Sequence, residues 1–263
     1  MEQKNKYALV TGASKGLGYA YCEELLKIGY NIIGVARNTD SLKQLQKKYS
    51  SLDVQAWNMD LSIFENNEIL FKKTLNFNIE VVINNAGYGV WGHFDQSDIE
   101  KEMNMIDLNI KSLHAITKFF VQKFKQKNIG RILNIGSMAA FTPGPVFASY
   151  YASKAYVLSL STAINFELKK LKSKVRVITL CPGPLKTDFW NRSSDQKNAE
   201  YKSKIKVMKT SVYAKKSLKL GLKTNKKNYI ITGSINKLVK KLIKRIPESW
   251  ALNSVYKYQS KRK

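Results

Sequence analysis

Short apolar runs rich in β-branched residues alternate along the chain with longer stretches whose apolar residues recur at helical spacing. Residues 7–11, 31–36, 54–57, 79–84, 131–135, 175–180 and 229–232 read as strands. Residues 17–28, 41–49, 99–126 and 149–171 read as helices. The strands are nearly all apolar instead of alternating, as burial on both faces requires. Strands separated by helices predict an α/β fold, a doubly wound parallel sheet. We expect one domain over residues 1–233, with 188–222 as a variable region of substrate lid, loop and helix, followed by a basic amphipathic extension over 234–263.

The extension has its own pattern. Ile235, Leu238, Val239, Leu242, Ile243 and Ile246 form one continuous apolar stripe, with Lys237, Lys240, Lys241, Lys244 and Arg245 on the other face. Ser234 is a natural N-cap and Pro247 a natural stop. Trp250, Leu252, Val255 and Tyr256 predict a second amphipathic turn or two. A basic helix with one apolar face and nearby Trp and Tyr suits a membrane surface; packing of the stripe on the domain or on a partner subunit suits it equally.

Composition sharpens this picture at one point. With 44% hydrophobic and 24% charged residues the chain is of the globular class. Forty-five Lys and Arg against 19 Asp and Glu give a net charge of +26, and from Asp195 onward 20 basic residues face 3 acidic ones. Such an excess predicts an anionic partner: membrane lipid, an acidic carrier protein or nucleic acid. No run of 18 apolar residues is present, so no ordinary membrane-spanning helix is expected, and the polar first residues read as no secretory signal. Two cysteines, Cys22 and Cys181, are too few for a disulfide framework or a Cys-rich zinc site, and no metal is expected. These features together predict a cytoplasmic protein, peripheral on the inner face of a membrane if the extension binds lipid.

The residues suited to chemistry fall at strand ends. Gly12, Ser14, Lys15, Gly16, Leu17 and Gly18 form a glycine-rich turn between the first strand and helix. Glycines there let the backbone approach a pyrophosphate, and the helix N-terminus offers unpaired N–H donors. Where a dinucleotide site selective for NAD usually has an acid, the chain has Arg37; with Lys15 it suits a 2′-phosphate, favouring NADP(H) over NAD(H). Asp60, before Leu61, suits either an adenine amino group or helix capping. Asn85, Ala86 and Gly87 close the fourth strand, Asn85 to brace its neighbours and Gly87 to pass close to a ribose. Ser137 ends the fifth strand, and Tyr150 and Lys154 share one helical face four residues apart. Tyr151 competes with Tyr150 on spacing alone.

T-G-x-x-x-G-x-G at 11–18, N-N-A-G at 84–87, Ser137, Y-x-x-x-K at 150–154 and Pro182-Gly183-Pro184-Leu185-Lys186-Thr187 stand in one order. In this the chain resembles the short-chain dehydrogenase/reductase family over roughly residues 6–232. The resemblance extends to the hydroxysteroid and long-chain ketoacyl reductase branch, where similar tails occur. It implies a seven-stranded Rossmann sheet in the order 3-2-1-4-5-6-7 and a catalytic tetrad of Asn109, Ser137, Tyr150 and Lys154. It also implies NADP(H) contacts from Tyr150, Lys154, Pro182, Gly183, Leu185 and Thr187, with further ones from Asn84 and Ile135, and a dimer or tetramer built through the helices holding Asn109 and Tyr150.

The chemistry gives each member of the tetrad a task. An ordinary phenol titrates near pH ~10. An ammonium about 4 Å away is worth roughly 4 kcal/mol in a partly dry cleft, enough to lower it by about 3 pH units. Ser137 would donate to the oxygen where charge develops, Tyr150 pass the proton, and Asn109 hold a water linking Lys154 to solvent. Neither His93 nor His114 has metal-ligand company. Tyr88, Trp91, Phe94, Met138, Phe141, Phe147, Phe189 and Trp190 are expected to wall the substrate pocket, and their aromatic density suits an apolar or acyl substrate as well as it suits ordinary packing.

The expected function is NADPH-dependent hydride transfer to or from a carbonyl or secondary alcohol on an apolar, lipid-like substrate. The rival enzyme is a soluble 3-oxoacyl reductase meeting an acidic acyl carrier protein. The rival outside catalysis is a dinucleotide-sensing or nucleic-acid-binding regulator, disfavoured because a sensor needs neither Tyr150 nor Lys154.

Overall fold

The structure, a computed structural model, describes residues 6–187, 189–193, 207–243 and 245–260. Its main sheet has seven parallel strands in the order β3-β2-β1-β4-β5-β6-β9. These are β1 (Tyr7–Thr11), β2 (Asn31–Ala36), β3 (Val54–Asn58), β4 (Ile79–Asn84), β5 (Arg131–Ile135), β6 (Arg176–Cys181) and β9 (Tyr229–Ile231). The expected topology is met once two two-residue strands are set apart: β7 (Leu185–Lys186) and β8 (Met208–Lys209) form a separate parallel ladder.

Successive side chains of a strand point to opposite faces, so each strand feeds two cores. Ala8 and Val10 of β1, with Ile32, Ile83, Leu133 and Ile178, pack under α1 (Gly16–Lys27), α2 (Leu42–Lys48) and α8 (Thr210–Lys223). Leu9, Ile33, Val82, Ile132 and Val177 pack under α3 (Phe64–Thr74), α5 (Leu113–Lys127) and α6 (Ala148–Lys170). Each fully buried Leu, Ile or Val contributes about 1.5–3 kcal/mol, which explains why both residue parities are apolar.

The predicted helix 99–126 is broken. It comprises α4 (Ile99–Ile106), a π-helical turn (Asp107–Ser112) and α5. Asp98 caps α4 by accepting from the Glu100 and Lys101 N–H groups. Of the expected lid, loop and helix region 188–222, residue 188 and residues 194–206 lie outside the described residues. α7 (Phe189–Ser193) opens it, and its second half is α8, a core helix: Tyr213, Ala214 and Leu218 are buried and Ser217 bonds the Tyr21 hydroxyl at 2.8 Å.

The extension folds as two helices, α9 (Ser234–Ile243) and α10 (Glu248–Ser260). Ser234 is the first helical residue instead of the cap; the Asn236 amide reaches back to the Thr232 carbonyl at 2.9 Å. Residue 244 and residues 261–263 of the expected basic face lie outside the described residues.

Candidate active site

The strand order reverses between β1 and its neighbours β2 and β4, and a crevice opens at the C-terminal ends of the strands there. A cavity of about 930 Å³ occupies it. Asn85, following β4, spans the reversal: its amide donates to the Thr11 carbonyl at 3.0 Å and the Gly12 carbonyl at 3.1 Å. Thr11 answers by accepting the Asn85 and Ala86 N–H groups on its hydroxyl, both at 3.0 Å.

Ser14, Lys15, Gly16 and Leu17 line the cavity with Gly12. Gly12 holds φ +64°, and a Cβ there would stand 2.9 Å from the Ala86 Cα, so backbone alone fits. Gly18, like Ala13, does not line the cavity. It lies beneath, where a Cβ would meet the Gly12 carbonyl oxygen at 2.1 Å, and so lets the turn fold back on the helix. α1 starts with Lys15 as its cap, without a side-chain cap bond and without an acid in the first turn. Its N–H donors therefore face the cavity ready for an anion.

Arg37 and Lys15 are exposed at the cavity's rim and form no ion pair among the described residues. Asp60 and Leu61 line the same end, but Asp60 also accepts from the Ser62 N–H at 3.0 Å and the Ser62 hydroxyl at 2.7 Å. It thus caps its own turn while one edge borders the crevice. Ala86, Gly87 and Ile135 line one side; Pro182, Gly183, Leu185 and Thr187 line the other. Asn84 does not reach the cavity. It is buried, donating to Asn134 at 2.8 Å and Thr117 at 3.2 Å, and ties β4 to β5, because its side chain points into the layer under the sheet.

Ser137, Tyr150 and Lys154 meet in the middle of the cavity. Ser137 lies close enough to the Tyr150 phenol to act on its titration, and its hydroxyl accepts the Ala139 N–H at 3.1 Å. Lys154 Nζ lies 5.6 Å from the Tyr150 ring centre and donates to the Ile135 carbonyl at 3.0 Å. The expected acidified phenol is not what this arrangement produces. Burial pushes the Tyr150 phenol well above its usual range, and Ser137 only partly offsets it. Burial pulls the Lys154 ammonium down to about 8, since it is dry and its nearest anchor is a neutral carbonyl. At neutral pH the phenol keeps its proton. The turn into α6 passes Val146 with φ +66°, a strained conformation for a β-branched residue that costs about 1–3 kcal/mol. Gly92 N–H donates to its carbonyl at 2.9 Å and holds it.

Asn109 sits in the π-helical turn, fully buried and off the cavity wall. Its amide donates to the Tyr88 carbonyl at 2.8 Å and to Ser153 at 3.2 Å, and its oxygen accepts the Tyr88 N–H at 3.2 Å. The carboxamide thereby positions the 87–88 segment.

The aromatic wall is smaller than expected. Tyr88, Met138, Phe147, Phe189 and Trp190 line the cavity. Phe147 stacks on Tyr150 at 4.6 Å between ring centres, and Phe189 lies 5.3 Å from Tyr150. Three residues fall outside it. Phe94 is 71% exposed. Trp91 packs against the cluster of Val90, Phe147 and Tyr150, and its backbone N–H donates to the Ser193 carbonyl. Phe141 turns to Tyr229 and Lys240. Loop aromatics have no periodicity to fix their direction, so sequence alone could not separate the two groups. His114 bonds the Tyr156 hydroxyl at 2.7 Å and His93 packs near Tyr256. No group of three His, Cys, Asp or Glu converges among the described residues.

The extension also contributes, along the line of the alternative in which its stripe packs on the domain. Ile235, Val239, Ile243 and Ile246 border the cavity, and Ala251, Val255, Tyr258 and Gln259 of α10 close it. Asn236 packs so closely on Gly183 that a Cβ there would meet its side-chain oxygen at 2.5 Å. The signal was the apolar stripe itself, which does not say what it faces. Other residues of the stripe stay outside: Leu238 is 56% and Leu242 50% exposed.

The profile described as short chain dehydrogenase matches residues 6–198. An uncharacterized oxidoreductase of Schizosaccharomyces pombe is 35% identical over 191 residues, 72% of this chain and 63% of that protein, so the match spans less than two thirds of the relative. A 7beta-hydroxysteroid dehydrogenase of Clostridium sardiniense is 28% identical over 201 residues, 74% of this chain and 76% of that one. Among solved structures, a short-chain dehydrogenase from Sphingobium yanoikuyae in complex with NADPH superposes with a TM-score of 0.78 at 26% identity, covering 92% of this chain and 96% of that one. Motif order, sheet topology and these matches agree: the chain belongs to the short-chain dehydrogenase/reductase family.

Proposed function

We propose that this protein is an NADPH-dependent reductase acting on a ketone or aldehyde carried by an apolar substrate. The observation that carries this reading is the contact of Ser137, Tyr150 and Lys154 in one cavity with the glycine-rich turn. The residues present fit the dinucleotide. Backbone N–H donors at 14–17 suit its pyrophosphate, Arg37 and Lys15 its 2′-phosphate, and the 182–187 segment its nicotinamide end. When bound, NADPH supplies the hydride.

The chain's own residues supply the rest. Ser137 and Tyr150 both donate toward the substrate oxygen, stabilising the charge that develops there. Tyr150, held neutral by burial, gives up its proton to that oxygen. Lys154, charged below about pH 8, stabilises the phenolate left behind. Asn109 fixes the segment carrying Gly87 and Tyr88. Phe147, Phe189 and Trp190 exclude water and favour an apolar body. NADPH oxidation by the purified protein across acyl, steroid and sugar ketones tests the reading: turnover confined to apolar ketones supports it, and preference for a sugar ketone contradicts it.

The protein works, in the same reading, at an anionic membrane surface. Ile235, Leu238, Val239 and Leu242 of α9 are each 40–59% exposed, flanked by Lys237 and Lys241. An acidic carrier protein would use the lysines and leave these apolar residues wet, which favours lipid. No helix among the described residues is long and apolar enough to cross a membrane.

A further inference from the structure

Arg131 and Arg176 open the neighbouring strands β5 and β6 and stand opposite each other in the parallel ladder. Leu133 and Ile178, two positions further along each strand, pack in the layer under α8, and the arginines share that face. Adjacent strands lie about 4.8 Å apart, so two like charges are set side by side, which destabilises a sheet unless a negative group answers them. Among the described residues no ion pair joins either arginine to an acid. Burial and the like charge of Arg176 both pull Arg131 below its usual range.

The two guanidinium groups are pinned to neutral acceptors. Arg131 donates to the Lys174 carbonyl at 2.7 Å, to the Leu222 carbonyl at 3.2 Å and to the Asn225 side-chain oxygen at 2.9 Å. Arg176 donates through Nη1 to the Ser173 and Val175 carbonyls and through Nε to the Asn225 carbonyl at 3.4 Å. Asn225 thus receives both groups and holds them together, while Nη2 of Arg176 meets no acceptor among the described residues. These bonds fix position and leave both charges uncancelled. Holding the loop carbonyls needs donors, which neutral amide side chains would supply without the repulsion.

Both arginines line a second cavity, of about 610 Å³, at the N-terminal ends of the strands and so at the edge of the sheet away from the glycine-rich turn. Exposed Lys172 and Lys174 border it as well, and the acid in its lining, Glu80, is paired with Lys6 at 3.4 Å. We infer that this cavity is a second anion site, in which Arg131 and Arg176 together bind a dianionic phosphate group, free or carried on a small organic body. Planar guanidinium forks match phosphate oxygens, and a pair already held in place loses little freedom on binding. The inference stands apart from the ketone-reduction reading and from the Arg37 clamp, both of which concern the other edge of the sheet.

Calorimetric titration of the full chain with inorganic phosphate tests it, at constant ionic strength set with potassium chloride and with NADPH saturating, so that phosphate is kept from the dinucleotide site. Wild type should bind phosphate saturably, one per chain. Glycerol phosphate separates the two sources: tighter binding than inorganic phosphate assigns a phosphate on an organic body, and equal or weaker binding assigns the free ion. Arg176→Gln should weaken phosphate by roughly tenfold or more and leave NADPH affinity within about twofold. Should thermal unfolding show that this variant loosens the sheet, Lys172→Asn with Lys174→Gln decides instead. Both lysines are exposed, and asparagine tolerates the φ of +53° at 172. That double variant should weaken phosphate by about threefold or more. A wild-type chain with no saturable phosphate binding, or variants that bind it as tightly as wild type, overturn the assignment.

Discussion

Lys154 Nζ donates to the Ile135 carbonyl at 3.0 Å and stands 5.6 Å from the centre of the Tyr150 ring. The pair is dry, and dryness acts on the two groups in opposite directions: it raises the phenol and lowers the ammonium to about 8. Of the two, the lysine is the one that changes charge in the working range. The phenol, protonated at neutrality, is already in the state that carbonyl reduction consumes.

A pH dependence follows for reduction. Lys154 is charged below about pH 8 and loses its proton as the pH rises through that value. The cation that stabilises the phenolate is then gone. Rates of NADPH oxidation with a ketone should hold steady at neutral pH and fall above about pH 8. A profile flat to well above that value would remove Lys154 from this role.

The same lysine burdens the fold. Below about pH 8 folded and unfolded chains both hold its proton, and the native state bears the whole cost of a buried ammonium. Between about 8 and 10.5 the folded chain releases a proton that the unfolded chain keeps, so this group's contribution to stability rises with pH. Lys154→Met in the cofactor-free protein should therefore be more stable than wild type at pH 7 by about 2 kcal/mol, after allowing for the Ile135 carbonyl it leaves unpaired. The gap should close toward pH 10. Urea midpoints across this range measure it.

Arg37 is exposed at the cavity rim with no ion pair among the described residues. Its reading as a phosphate clamp predicts that Arg37→Asp weakens NADPH by tenfold or more, since a charge-assisted bond is worth about 1.5–3 kcal/mol. NADH should be nearly unaffected or improved. Equal loss of both dinucleotides, measured by fluorescence titration, would contradict it.

The exposed part of α9 makes a prediction of its own. Leu238 and Leu242 are half exposed and line no part of the cavity. If they enter lipid, replacing both with Asp should weaken binding to anionic vesicles roughly hundredfold. Retention of NADPH affinity would separate this from misfolding. An intact chain that shows no salt-sensitive vesicle binding contradicts the membrane reading.

What the sequence conveys well is whatever burial or backbone geometry forces. The strands were legible because burial on both faces leaves few polar positions, as in Asn31–Ala36. The turn at 12–18 was legible because Gly12 and Gly18 admit no side chain. α3 escaped notice because it buries only Asn67, Leu70 and Thr74; Asn67 is held by three carbonyls and by Ser112, while Phe64 and Ile69 face outward. The π-helical turn at Asp107–Ser112 was hidden because apolar spacing runs on through it, yet it is what turns Asn109 toward Tyr88. The raised phenol and the closure of the cavity by α10 depend on desolvation and on the path of the extension, neither of which residue spacing encodes.

The most direct test of the account is Tyr150→Phe, assayed for NADPH affinity and for ketone turnover on the same preparation. Phe keeps the stack on Phe147 and removes only the proton donor. The account predicts NADPH affinity within about twofold of wild type and turnover lowered by at least ~10²-fold, the usual scale for losing a general acid. Turnover that stays near the wild-type rate would contradict it.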